Sequence, residues 1–204
     1  MANDRGTPPP PPSDLRTRPL PLLALSPAAW SRVHRATLSP CFYSEDPANR
    51  FSSRGVGVLY LADAAETAFW EIYWDDLGPL APDERRIPRA KLNQRVVRAA
   101  TPKRRLQVFD ATNRRSLRAV SATAGTFTST YDVCQVWAKA LATHPHPPDG
   151  ILYPSARNAG ARCLALFASR TRCDDIGFGA ATKVGDSVEI LASLLAEGVG
   201  VLAS

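Results

Sequence analysis

A chain of 204 residues with 45% hydrophobic composition is one domain, or one domain with appendages, and is long enough to bury a core. No run approaches the roughly 20 apolar residues of a membrane helix, and prolines fill the place of an apolar signal segment at the N-terminus. The net charge of +6 leaves open a nucleic acid or another acidic partner.

Residues 1–27 form a proline-rich tail or arm, and 28–204 are expected to form the domain proper. TPPPPPS predicts polyproline and disorder. RTRPLPLLALSP then predicts an extended arm packing Leu20, Leu22 and Leu23 on the body. Trp30 to His34 reads as a strand, and CFYSEDPANRFSSRG as a loop.

Next comes GVGVLYLADAAETAFWE, a strand through Val56 to Leu61 and then a helix. Asp63, with Glu66 three positions on, has the spacing of a capping box. The helix carries Ala65, Ala68, Phe69 and Ile72 on one stripe, and Glu71 falls about 60° from Ala68, at its edge. A carboxylate there is a snorkelling surface group or a charge facing a cleft.

Residues 77–90 read as a proline-rich loop. Lys91–Ala100 and Arg105–Asp110 read as strands, and TNRRSLRAV as a short helix. TSTYDVCQVWAKALATH is a helix with Val133, Val136, Trp137, Ala140 and Leu141 on one face, broken by HPHPPDG. GILYPS and CLALFAS are buried strands. SVEILASLLAEGV is a helix or a strand, which periodicity alone does not decide. Strands and helices mix without regular alternation, which predicts an α+β fold, and no GxGxxG occurs.

Cys41, Cys134, Cys163 and Cys173 form no CxxC and read as free cytosolic thiols. His144 and His146 lack accompanying Cys or acidic ligands, so no metal is expected. Twelve Lys or Arg and a single acid, Asp110, lie between Arg85 and Arg118. This stripe has little aromatic interleaving and matches no nucleic-acid motif. It reads first as a solvated face or a docking surface for an acidic partner.

Three segments put polar residues at the ends of apolar elements: Arg32 and His34 in WSRVHR, then Arg50, Tyr60 and Glu71, then Ser155 where a strand stops. In their order and separation, RVH, RF, GVLYLA…TAFWE, YDVCQVWAKAL and DGILYPSARN…CLALF resemble the RES domain, a family named for its Arg, Glu and Ser. The resemblance runs from about Trp30 to Phe167. It implies an ADP-ribosyltransferase-like fold, with mixed or antiparallel sheets and flanking helices around an NAD cleft. It also implies a cytoplasmic toxin of a toxin–antitoxin pair that degrades NAD+, in several members by phosphorolysis.

Arg32, Glu71 and Ser155 match the catalytic positions of that family. Arg32, His34, Arg50, Tyr60, Tyr131 and Asn158 fall among the NAD+-binding ones. Some members carry an aromatic after the first Arg; this chain has Val33, and His34 takes part of that role. The implied partner is an Xre-type helix-turn-helix antitoxin, with a homodimer or a hetero-oligomer with the antitoxin as the assembly. No membrane and no direct nucleic-acid contact are expected.

NAD+ would be a substrate rather than a cofactor, with inorganic phosphate as a co-substrate. Nicotinamide leaves as a neutral molecule, so no general acid is needed, unlike the sugar oxygen of ordinary glycoside hydrolysis. One fixed carboxylate, Glu71, suffices to stabilise the oxocarbenium-like ribose. Arginine forks suit the pyrophosphate. Tyr60 is a stacking platform for nicotinamide or adenine. Ser155 is a hydrogen-bond donor rather than a nucleophile, because no GxSxG surrounds it. The rival readings are a mono-ADP-ribosyltransferase using the same pocket, and a non-catalytic basic module binding nucleic acid through residues 85–118.

Overall fold

The computed structural model describes residues 8–81 and 83–203. Three apolar runs, VLYLA, GILYP and RCLALF, become β3 (Val58–Ala62), β7 (Gly150–Pro154) and β8 (Arg162–Phe167). Runs this continuous need apolar cover on both faces. Leu59, Leu61, Leu152, Leu164 and Leu166 pack into one core cluster, and Val58, Ile151, Tyr153, Cys163 and Ala165 into another.

These strands are the middle of a nine-stranded mixed sheet. Its order is β1 (Leu22–Leu25), β6 (Leu106–Asp110), β7, β8, β3, β2 (Trp30–Arg35), β5 (Arg95–Pro102) and β10 (Thr182–Lys183), with β9 (Ile176–Phe178) also on β5. Among the described residues its one parallel pair is β6 with β7. β2 pairs with β5 along its whole length, but shares only Ser31↔Ala62 with β3. Pairing stops there, and the two strands part around a cleft lined by both.

Helix α1 (Ala65–Leu77) buries Ala65, Ala68 and Phe69 as its apolar stripe predicts, with Ile72 partly buried. The helix starts differently from expectation. Asp63 does not cap it: Ala64 is the N-cap, and Asp63 Oδ2 instead accepts from the Arg162 amide at 2.7 Å. Asp63 is held there because its own amide bonds to the Arg162 carbonyl, extending the β3–β8 ladder by one step. The Ala65 amide is served from afar, by Glu189 at 3.2 Å.

Helix α4 (Tyr131–Ala142) buries Cys134, Trp137, Ala138 and Leu141, while Val136 is 52% exposed. The inward stripe thus runs through Cys134, and Val136 lies on the opposite side of the helix. The undecided C-terminal run is helix α5 (Val188–Ala196), capped by Ser187. The stretch read as a proline-rich loop holds β4 (Arg86–Pro88), and α2 (Arg89–Leu92) runs from it into the start of the segment read as a strand, which begins at Arg95 instead. β4 exists because β11 (Gly200–Leu202) pairs with it in parallel from the far end of the chain. The short α3 (Arg114–Ala119) falls where expected, capped by Asn113. The architecture is α+β.

The disorder expected at the start of the tail falls partly on residues 1–7, outside the described range. From Pro8 the tail lies on the body. The Pro9 carbonyl accepts from Trp137 Nε1 at 3.0 Å, Leu15 is buried, and β1 adds an antiparallel strand to β6. Leu20 and Leu22 pack on the core, whereas Leu23 is 39% exposed because it alternates outward along β1.

Two of the four thiols are not free. Cys41 and Cys173 form a disulfide across 132 residues of sequence, while Cys134 and Cys163 are buried free thiols. No spacing motif marks such a pair, because only the fold brings the Cys41 loop against the 3₁₀ turn at Cys173–Asp175. The basic stretch is spread over β4, α2, β5, α3 and the β5–β6 turn. Several of its cations are engaged: Arg104 with Asp149, Lys91 with Asp76, Arg89 with Asp186, and Arg85 and Arg98 with backbone carbonyls. His144 is a core histidine, with Nδ1 accepting from the His146 amide at 3.0 Å and Nε2 donating to the Arg18 carbonyl at 3.1 Å.

Candidate active site

The parting of β2 and β3 creates a cleft of about 690 Å³, roofed by α1 and closed at one end by the start of α4. Arg32, His34, Arg50, Tyr60, Glu71 and Tyr131 line it. They come from β2, the loop before β3, β3 itself, α1 and α4, so the fold assembles one site from segments far apart in sequence. Ser155 and Asn158 reach it from the loop after β7, by way of α1.

Glu71 is half-buried at the edge of the apolar stripe, where helical geometry puts it. Ser155 Oγ donates to Glu71 Oε1 at 2.6 Å, and the Ala156 amide donates to the same oxygen at 3.1 Å. Ser155 Oγ in turn accepts from the Arg157 and Asn158 amides, at 3.1 and 2.9 Å. The serine is thereby locked by its own loop and aimed at the carboxylate. Asn158 Nδ2 donates to the buried Thr67 Oγ1 at 2.9 Å, which staples that loop to α1. The tight loop needs Gly160, whose φ is +84°.

Arg32 spans the gap between the parted strands. Its Nη1 donates to the Tyr60 carbonyl at 2.9 Å and its Nη2 to the Phe42 carbonyl at 3.0 Å. The guanidinium does in the gap what a ladder hydrogen bond would do if β2 and β3 stayed paired. Burial draws its pKa down to about 10, with the nearby Tyr43 acting the other way, so it stays charged at neutral pH. Its Nε is buried without a partner among the described residues.

His34 Nδ1 contacts the Arg35 carbonyl at 2.9 Å, which fixes the proton on that nitrogen. Burial lowers the His34 pKa; Arg32, Arg98 and Arg95 lower it further, against the raising effect of that carbonyl.

Arg50 is 8% exposed, donates to the Ser129 carbonyl at 3.3 Å and stacks on the Tyr131 ring, 5.3 Å from its centroid. Burial depresses its pKa, but Tyr153, Cys134, Glu71 and Tyr131 outweigh that and raise it. A firmly charged guanidinium and a carboxylate therefore share the cleft.

The Tyr60 hydroxyl accepts from the Phe51 amide at 2.9 Å and pairs with Ser52 Oγ at 2.9 Å. Burial pushes its pKa up to about 12, so it stays protonated. That hydroxyl fixes the segment following Arg50. Gln135 secures the segment before it, with Nε2 donating to the Pro47 and Asn49 carbonyls at 2.8 and 3.0 Å. No sequence pattern marks Gln135. It sits among ordinary polar residues of α4, and its acceptors lie 88 and 86 positions away. Arg95, Asp75 and Tyr153 also line the cleft without a sequence signal.

The RES domain family matches residues 29–177, which takes in the whole cleft. The chain belongs to the RES domain family. The RES fold here is similar to that in the crystal structure of the M. tuberculosis MbcT–MbcA toxin–antitoxin complex, at 21% identity and a TM-score of 0.58. That similarity covers 84% of this chain and 92% of the other. No curated protein matches the sequence.

In this RES domain the carboxylate is fixed by two donors on one oxygen, and the cleft volume lies within the about 300–1,000 Å³ of small-molecule and cofactor sites. Such a cleft can bind an anionic ligand through Arg50 and stabilise a developing positive charge through Glu71.

Proposed function

We propose that this RES protein is a toxin that cleaves the nicotinamide–ribose bond of NAD+, by phosphorolysis. The observation that carries the reading is the placement of Glu71. Its carboxylate is held by Ser155 and Ala156 inside the cleft that Arg50 lines.

The chemistry follows from the charge of the substrate. Nicotinamide is cationic when bound to ribose and neutral when it leaves, so bond breaking moves positive charge onto the ribose. A preorganised carboxylate next to that carbon lowers the barrier, and removing such a group typically costs about 2.7–4 kcal/mol. Arg50 is the main ligand for the pyrophosphate and Arg32 a second one, since its bonds to the Tyr60 and Phe42 carbonyls use two of its five N–H groups. Arg32 also keeps the parted strands at a fixed separation. Ser155 acts through Glu71, pinning one oxygen so that the other faces the substrate. The acceptor that completes the reaction is inorganic phosphate, giving ADP-ribose-1″-phosphate. The partner that restrains the enzyme is an Xre-type antitoxin that competes with NAD+ for the cleft.

The test is incubation of purified protein with NAD+, with and without inorganic phosphate. Release of nicotinamide with phosphate-dependent ADP-ribose-1″-phosphate supports the proposal. Phosphate-independent ADP-ribose makes the enzyme a glycohydrolase, and label kept on protein makes it a transferase. No nicotinamide release, together with salt-steep nucleic-acid binding, returns the function to the basic stretch. Five of the twelve cations of that stretch are paired or bonded to carbonyls, which weakens this last reading.

A further inference from the structure

The Cys41–Cys173 disulfide stands beside the cleft rather than in the core. Cys173 is exposed and Cys41 half-buried, so small thiols can reach the bond. The residue after Cys41 is Phe42, whose carbonyl accepts from Arg32 Nη2 at 3.0 Å. Leu38 and Phe42 line the cleft and are 41% and 48% exposed, so little packing holds them. The segment is anchored at its ends, by the Ala36 amide on the Gln94 carbonyl and by the Ser44–Val58 bridge. Between those anchors its long-range ties are the disulfide, the Arg32 bond to Phe42 and the Tyr43 hydroxyl on Thr171 Oγ1 at 2.9 Å. The disulfide is the covalent one, and it fixes the residue next to the carbonyl that Arg32 holds.

We propose that Cys41 and Cys173 form a reversible thiol–disulfide site, served by low-molecular-weight thiols and disulfides, that sets how firmly residues 37–43 wall the cleft. In the reducing direction a dithiol attacks the sulfur of Cys173, the more exposed of the two residues. The S–S bond breaks, Cys41 leaves as a thiolate and takes a proton, and a mixed disulfide forms on Cys173. The second thiol of the reductant displaces Cys173 as a thiol and closes its own disulfide. The protein gains two electrons and two protons, and the dithiol loses both. Oxidation by a small disulfide is the reverse exchange. The oxidised protein is the tighter NAD+-binding form, because its cleft wall is ordered before the ligand arrives. Reduction leaves the wall to be ordered at the expense of binding.

The full chain is equilibrated with glutathione disulfide or with dithiothreitol, and each sample is read three ways. Mass spectrometry after alkylation finds Cys41 and Cys173 joined in the first and free in the second. Amide exchange of residues 37–43 speeds up by about tenfold on reduction, while β7 and β8 stay unchanged. The KM for NAD+ rises about fivefold with kcat nearly constant. A Cys41→Ser, Cys173→Ser protein matches the reduced form in both buffers. Thiols that stay free under glutathione disulfide, or exchange at residues 37–43 that does not respond to reduction, overturn the proposal. The KM readout rests on the NAD+ reading, whereas the exchange and alkylation readouts do not. If neither form consumes NAD+, the proposed reaction falls and those two readouts still decide the redox site.

Discussion

Ser155 Oγ lies 2.6 Å from Glu71 Oε1, joining the loop after β7 to the middle of α1 across 84 residues of sequence. The serine donates to the carboxylate and accepts two amides of its own loop, so its hydroxyl proton has one direction to point. Two of the three residues matched by resemblance to the family's Arg, Glu and Ser thus form one unit. The third, Arg32, ties β2 to β3 and to the Phe42 carbonyl across the gap between them.

Glu71→Gln keeps the shape and removes the charge. Nicotinamide release falls at least about a hundredfold with the melting temperature nearly unchanged. Activity within threefold of the parent would end the case for Glu71 as the group that stabilises the ribose cation. Ser155→Ala removes a hydrogen bond to a charged group, a stability loss of about 1.5–3 kcal/mol, and kcat falls because the Glu71 carboxylate is less firmly oriented. Because Ser155 acts through Glu71, Ser155→Ala adds little further loss in a Glu71→Gln background; full additivity would show that the serine acts independently.

Arg32→Lys leaves one of two carbonyls without its donor, because an ammonium does not reproduce the planar fork that reaches both Tyr60 and Phe42. We expect a stability loss of about 1–3 kcal/mol by denaturant titration, along with weaker NAD+ binding. Arg50→Lys weakens NAD+ binding with a smaller effect on stability. A variant of Arg32 that melts like the parent would show that the parted strands do not depend on it.

Gln135→Ala frees the segment before Arg50 from α4. The expected result is a higher KM for NAD+ with kcat little changed, since Gln135 touches the loop and lines no part of the cleft. Gln135→Glu should be worse than alanine, because a carboxylate then faces two carbonyl oxygens. Equal KM values for parent and both variants would remove Gln135 from the positioning of Arg50.

Protonation of His34 is disfavoured in the folded protein, since burial and Arg32, Arg98 and Arg95 lower its pKa below 6.5. The unfolded chain therefore takes up a proton first as pH falls. Stability contributed by neutral His34 is present above pH 6.5 and is lost as pH drops below it, levelling off beneath the folded pKa. Melting temperatures between about pH 5 and 7.5 should show this slope in the parent and a flatter one in His34→Gln. Identical slopes would assign the acid sensitivity elsewhere.

The sequence by itself determined the elements whose pattern is local. The continuous apolar runs of β3, β7 and β8 demand cover on both faces, and the stripe Ala65, Ala68, Phe69 demands a helix with Glu71 at its edge. The ordered motifs around Arg32, Glu71 and Ser155 pointed to the RES family, and the cleft gathers most of the site residues read from them. Tertiary structure decided what depends on partners distant in the chain. Asp63 resembles a cap in sequence, yet the Arg162 amide claims it; Cys41 and Cys173 pair across 132 residues. β4 pairs with β11, which returns to it from the far end of the chain, and Arg32 comes to bridge β2 and β3 because the two strands part after one pair. Side-chain periodicity reports which way a residue faces, and it carries no information about what the rest of the chain will place opposite it.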